Sequence, residues 1–180
     1  MESADLMTRA RRAYEAGRLR WAARIATWVL PLALLSVVAA GNRCLSLATG
    51  AALLTACVAL LWRGQAWGAA VRPGLLAGVI PLGLMLTLKC SSGYFCALGG
   101  CMAHCSRFCG VGGLAAGLLL AARARRQPEG AVQFLVAGGA VAALTGLLGC
   151  FVGGITGALW MALGELAALI PLVAYEVRSR

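Results

Sequence analysis

The chain is 180 residues long, 61% apolar and only 12% charged, with a mean hydropathy of +0.85 and a net charge of +10. Soluble domains carry about 25% charged residues, so this composition excludes one and points to an integral membrane protein. Sixteen Lys and Arg against six Asp and Glu would also fit a nucleic-acid binder, but these basic residues stand between long apolar stretches and form no single stripe.

Residues 1–21 read as a basic cytoplasmic arm. Leu6, Ala10, Ala13, Gly17 and Trp21 recur near the helical period, with Arg9, Arg11, Arg12, Arg18 and Arg20 around them. That is the pattern of an amphipathic helix held by anionic lipid as it enters the bilayer; a docking arm for an acidic partner protein is the alternative. Residues 22–180 read as an all-α transmembrane bundle. A crossing needs about 20 apolar residues, and six stretches approach that, at about 22–40, 45–62, 74–89, 108–122, 131–148 and 152–175. The third and fourth are short if cut at the nearest charge, but Lys89 can snorkel and the fourth can start near Cys101, with Arg107 at the interface. Only Gly149, Cys150, Gly153 and Gly154 mark a turn between the fifth and sixth, so a tight hairpin is expected there. A signal peptide cleaved near Val38 and Ala40 is the alternative for the first stretch; the roughly 20 residues ahead of it are long for that role.

Topology follows from the arginines, because cytoplasmic flanks keep their positive charge during insertion. Six spans with both termini cytoplasmic put Arg9, Arg11, Arg12, Arg18, Arg20, Arg24, Arg63, Arg72, Arg123, Arg125, Arg126, Arg178 and Arg180 inside, 13 of 16 basic residues. Arg43, Lys89 and Arg107 remain outside. Glycines four apart (Gly74/Gly78, Gly113/Gly117, Gly149/Gly153 and Gly153/Gly157) put small residues on one helix face and predict close helix packing. Pro31, Pro81 and Pro171 lie in spans or near their ends, where neighbouring helices can satisfy the freed carbonyls.

On this topology Cys44, Cys90, Cys96, Cys101, Cys105, Cys109 and Cys150 fall on the non-cytoplasmic side or at its edge, leaving Cys57 alone in mid-membrane. Five of them fall within an extracytoplasmic segment, 90–109, spaced C-x5-C-x4-C-x3-C-x3-C. In a helix Cys101, Cys105 and Cys109 share one face, with His104 on its flank and Gly99-Gly100 as a natural break before it. Two chemistries fit. In an oxidising compartment the thiols pair as disulfides, and one between Cys44 and Cys150 would fasten two hairpins together. Alternatively, thiolates and His104 form a donor set for a soft metal ion such as Cu, Zn or Cd. No Asp or Glu falls outside, so a hard-ion site is disfavoured. Catalytic dithiol exchange is a third reading, although no C-x2-C pair is present.

Glu165 lies near the middle of the sixth stretch, where a charge costs about 2.5–3.5 kcal/mol, which makes it an intramembrane polar candidate alongside Cys57. The structural alternative is a neutral carboxyl hydrogen-bonded to Thr145, Thr156 or a backbone carbonyl. His104, the single histidine, is either a ligand or a solvated loop residue. No nucleophile triad, phosphate-binding loop or metal-hydrolase motif is present, so the chain does not read as an enzyme on soluble substrates; a membrane thiol oxidoreductase stays open.

Six spans, cytoplasmic termini, small loops and outer-side cysteines resemble the NrsF-type bacterial membrane anti-sigma factors. The resemblance covers the topology of most of the chain and rests on no diagnostic motif. It implies that outer thiols such as Cys90 and Cys150 take a heavy-metal input and that the arm from Arg9 to Arg20 holds a sigma factor on the cytoplasmic face. In outline the chain is also similar to small mercury transporters and quinone-linked disulfide-forming proteins, without their vicinal or C-x2-C pairs. The expectation is a multi-pass protein of the bacterial inner membrane. It would sense thiophilic metal or redox state through Cys90, Cys96, Cys101, His104, Cys105 and Cys109 and signal to a cytoplasmic partner. A small metal-ion transporter and a structural protein with a disulfide-stapled loop are the alternatives.

Overall fold

The computed structural model describes residues 2–39, 43–95, 101–126, 130–150 and 155–178. Seven helices follow one another: α1 (Glu2–Ala39), α2 (Arg43–Arg63), the short α3 (Gln65–Ala69), α4 (Val71–Phe95), α5 (Cys101–Ala124), α6 (Ala131–Cys150) and α7 (Ile155–Arg178). No strand occurs among the described residues. This is the outcome that lipid demands, because a helix satisfies its own backbone polar groups where water is absent. Thr49, Thr55 and Thr145 add to that economy by donating their hydroxyls to the carbonyls of Leu45, Ala51 and Val141, four residues back, at 2.8–2.9 Å.

Among the described residues, five segments are long and apolar enough to cross a membrane: Met7–Val38, Arg43–Arg63, Gln65–Thr87, Arg107–Ala124 and Ala131–Cys150. The expected sixth, in α7, is a shorter apolar stretch, Ile155–Pro171. Residues 151–154 are outside the described residues, as is the hairpin turn expected there. α5 begins at Cys101, at the break expected from Gly99-Gly100, which are themselves outside the described residues. No helix boundary separates the basic arm from the first span, since α1 runs unbroken through Trp21 and Pro31.

The glycines set the architecture. A Cβ on Gly74 would lie 2.7 Å from the Gly138 carbonyl oxygen, one on Gly78 2.7 Å from that of Ala142, and one on Gly149 2.7 Å from the Leu82 Cα. Contact positions therefore rise together along α4 and α6, and the two helices run parallel. α5 and α7 repeat the arrangement: Gly113 abuts the Met161 carbonyl, Gly164 abuts the Gly110 carbonyl, and a Cβ on Gly117 would lie 2.6 Å from the Ala168 Cβ. Of the predicted pairs, Gly74/Gly78 and Gly113/Gly117 thus sit at close backbone crossings; Gly153 lies outside the described residues. Large side chains point the other way, with Leu76, Val111, Leu118, Val136, Leu163 and Ile170 exposed. Small residues inside and large ones outside suit a solvent that is itself apolar, where packing and not expulsion from water holds helices together.

α1 packs chiefly on α2 and, more lightly, on α6. A buried polar tie across helices is made by Ser36, whose hydroxyl donates to the Leu148 carbonyl at 2.6 Å. Arg18 donates to the Leu61 carbonyl at 3.4 Å, one of the last carbonyls of α2, where a cation is favoured by the helix dipole. Gly64 follows at φ +70°, donating its N–H back to the Leu60 carbonyl at 3.1 Å and turning the chain into α3. Gly130 packs against Ala66, so the α5–α6 link lies at this same end. Arg63, Arg72, Arg123, Arg125 and Arg126 accordingly gather at one end of the bundle. Because α7 runs parallel to α5, Arg178 belongs to that end too.

Candidate functional site

The opposite end holds the thiols. Cys109, two residues into the span that starts at Arg107, and Cys150, the last residue of α6, bring their Sγ atoms to 2.8 Å. Both are buried. The contact is built in two layers one helical turn apart. In the first, Pro81 of α4 fills the space left by glycines: a Cβ on Gly112 would lie 2.9 Å from its Cβ, and one on Gly146 2.9 Å from its Cγ. The Met161 thioether closes the same layer, with its Sδ 2.6 Å from where a Gly146 Cβ would stand. One turn outward come Met85, Cys109, Cys150 and Gly157. A Cβ on Gly157 would lie 3.3 Å from the Cys109 Sγ and 3.4 Å from the Cys150 carbonyl oxygen, so the missing side chain is what lets α7 close over the thiols.

Met85, Cys109, Cys150, Ala158 and Met161 form one buried cluster. Each of α4, α5, α6 and α7 supplies one sulfur to it. Thiols and thioethers are soft donors, suited to thiophilic ions and unsuited to Ca or Mg. Two thiols this close can equally lose two protons and two electrons to an external disulfide, forming their own disulfide as that one is reduced to two thiols. Either event would tie α5 to α6 at the centre of the bundle.

Of the expected set, only Cys109 has a described side chain. Cys96 lies outside the described residues, as do the side chains of Cys90, Cys101, His104 and Cys105. Cys101 and Cys105 do occupy helical positions two turns and one turn before Cys109 on α5, in the i, i+4 register expected. Among the described residues no three His, Cys, Asp or Glu side chains are grouped to hold a metal. The expected partner for Cys150 was Cys44; instead Cys150 meets Cys109, and Cys44 is exposed and free at the start of α2. The two methionines escaped sequence reading because the motif search was for His and Cys. Their signal was positional: Met85 stands one turn beyond Pro81 on α4, and Met161 one turn beyond Gly157 on α7.

Glu165 is 3% exposed, and neither carboxyl oxygen has a hydrogen-bond partner. The expected hydrogen bonds to threonine are not made: Thr145 donates to its own helix, and Thr156 is exposed. Glu165 is wedged by backbone instead, its N and O facing Gly113 and Gly117 and its Oε1 lying 3.4 Å from a Cβ placed on Gly139. It lines an apolar groove of about 990 Å³ between α6 and α7, with Leu135, Ala143, Leu166 and Ile170. Cys57 is buried elsewhere, among Leu53, Leu61, Val71 and Leu148 of a different cluster. Glu165 and Cys57 therefore share no cavity, and the polar line expected of a transport pore does not form from them.

On the arm, Arg11 pairs with Glu15 at 3.2 Å in an exposed i, i+4 contact worth little by itself. Arg18 reaches the α2 end as described, while Arg12 and Arg20 are exposed. No protein-family model, curated protein or solved structure matches the chain.

Proposed function

We propose that this protein is a multi-pass sensor of thiophilic metal or thiol redox state in a bacterial inner membrane. Its input is the sulfur cluster around Cys109 and Cys150, and its output is the arginine-rich opposite end. The single observation that carries the reading is the 2.8 Å contact of two buried cysteine sulfurs contributed by separate helices. A structural role alone would be served by small residues, such as the glycines that bring α4 against α6 and α5 against α7. Six spans with both termini cytoplasmic remain the topology that best fits the charge distribution, supported by the gathering of Arg63, Arg72, Arg123, Arg125, Arg126 and Arg178 at one end.

An ion or a disulfide drawing Cys109 and Cys150 together moves α5 against α6. Rigid helices carry that displacement to the α5–α6 link, where Gly130 abuts Ala66, and through α3 to the corner held by Arg18. A cytoplasmic regulatory protein on the arm, of the sigma-factor kind implied by the NrsF-type resemblance, would feel it there. Cys90, Cys96, Cys101, His104 and Cys105 would form the outer mouth that delivers the ion.

The test uses the full-length protein in lipid nanodiscs, titrated with Cu(I) and with Cd(II), then denatured and alkylated. Two thiols should be protected per ion, and Cys109→Ser or Cys150→Ser should abolish the protection. If the double variant binds as much ion as the parent, the cluster is not the input. If every outer cysteine is already disulfide-bonded and indifferent to metal and reductant, the sensing function fails altogether.

A further inference from the structure

Between α1 and α4 the bundle leaves a groove of about 560 Å³, lined by Trp21, Arg24, Trp28, Leu32, Arg72 and Leu76, among others. It exists because α1 leans on α2 and α6 and does not pack closely against α4. Its two halves differ in chemistry. One end presents the Arg24 and Arg72 guanidinium groups, with Arg72 held 5.3 Å over the Trp21 ring. No acidic residue lines the groove, and neither arginine forms an ion pair among the described residues. From that charged mouth the walls turn apolar for about two helical turns, roughly 10 Å, from Arg72 to Val79 along α4 and past Trp28 and Pro31 along α1.

We infer that this groove is a binding site for one anionic phospholipid. The phosphate is held between Arg24 and Arg72, the Trp21 ring flanks it at headgroup depth, and the first part of an acyl chain lies along Trp28, Leu32, Leu75, Leu76 and Val79. Guanidinium groups donate several hydrogen bonds to phosphate in a fixed planar fork, and tryptophan favours the interface between headgroups and hydrocarbon. Two unpaired positive charges at the mouth of an outward-facing apolar channel select a ligand with one charged end and one greasy end. A soluble phosphate would leave the channel uncovered, and a neutral apolar helix would leave both arginines unpaired. The lipid acts as a wedge that completes the contact between α1 and α4, so occupancy fastens the basic arm to the rest of the bundle. The site is independent of the thiol cluster and does not rest on the sensing function.

The experiment is native mass spectrometry of the full-length protein, released from membranes and then titrated with phosphatidylglycerol and, separately, with phosphatidylcholine. One phosphatidylglycerol should remain bound in preference to phosphatidylcholine. Arg24→Gln with Arg72→Gln should weaken it about 30-fold, near fivefold for each charge removed. Arg123→Gln with Arg125→Gln, at the same end of the bundle but off the groove, should leave the affinity unchanged. Leu76→Trp keeps the charge and fills the channel; it should also release the lipid, while circular dichroism reports an unchanged helical content. Equal loss in the Arg123/Arg125 control would reduce the effect to general surface charge and overturn the site. So would equal binding of phosphatidylcholine, retention of phosphatidylglycerol by both groove variants, or a second copy of the chain occupying the groove in place of lipid.

Discussion

Along the α5–α7 seam Gly110, Gly113, Gly117 and Gly164 bring two backbones into direct contact, whereas α1 reaches its neighbours through side chains and leaves a groove beside α4. Only 19% of the apolar window of α1 is buried, against 61% for α6 at the centre. Both regions are equally helical and nearly equally greasy, so hydrophobicity does not explain the difference. Residue size does. Where a small residue recurs every fourth position, helices in lipid gain dispersion contacts that bulky side chains would prevent. The two parallel pairs, α4 with α6 and α5 with α7, form a close-packed unit around the sulfur cluster. α1 is an attachment, held by a hydroxyl, an arginine and a few apolar contacts, which leaves it the element best able to move.

The comparison breaks most severely at Gly113. Any side chain there collides with the Met161 carbonyl, a backbone atom with nowhere to go, so Gly113→Leu should cost about 3 kcal/mol or more or prevent folding. By contrast Gly17, with open space around its Cα, should accept alanine with unchanged or slightly raised stability. Thermal unfolding of both variants in the same detergent checks the pair; equal effects would erase the distinction between seam and arm.

Glu165 sharpens the picture of the seam from the opposite direction. Its carboxyl is buried without a partner, so Glu165→Met should raise stability by about 1–3 kcal/mol, because removing an unsatisfied buried group refunds its desolvation. Loss of stability would mean that a ligand or partner in the α6–α7 groove satisfies the carboxyl in the membrane.

Smaller effects are expected on α1. Ser36→Ala removes the buried hydroxyl bond to Leu148 and should cost about 0.6–1 kcal/mol, with faster hydrogen exchange confined to the outer half of α1. Arg18→Gln should change stability by less than about 0.5 kcal/mol and yet increase proteolysis of the arm, since its bond to Leu61 is long and partly exposed. Hydrogen exchange spreading from either change into α5 and α7 would show that α1 is part of the core.

Several features were legible before any coordinates. The apolar stretches correspond to helices, the start of α5 at Cys101 follows from Gly99-Gly100, and glycines four apart do mark crossings at Gly74, Gly78, Gly113 and Gly117. The candidate site was less legible. Periodicity placed Cys101, Cys105 and Cys109 on one helix face, but it could not tell that Cys109 meets Cys150 of α6, because partners 41 residues apart leave no trace in local spacing. Chain order alone pointed to Cys44 as the partner of Cys150. The methionines were invisible for the same reason.

What the sequence by itself determined is the solvent and the element type. In hydrocarbon every backbone group must be bonded within its own segment, so composition and span length force helices, and the arginine distribution orders their ends. Which helices touch was decided only by tertiary structure. Beyond the basic arm of α1 the long helices are predominantly apolar, so polarity hardly singles out an inner face, and the choice falls to the matching of glycines with carbonyls and ridges on other helices. That matching makes α4 parallel to α6 and α5 parallel to α7, and thereby brings one sulfur from each into a single buried cluster.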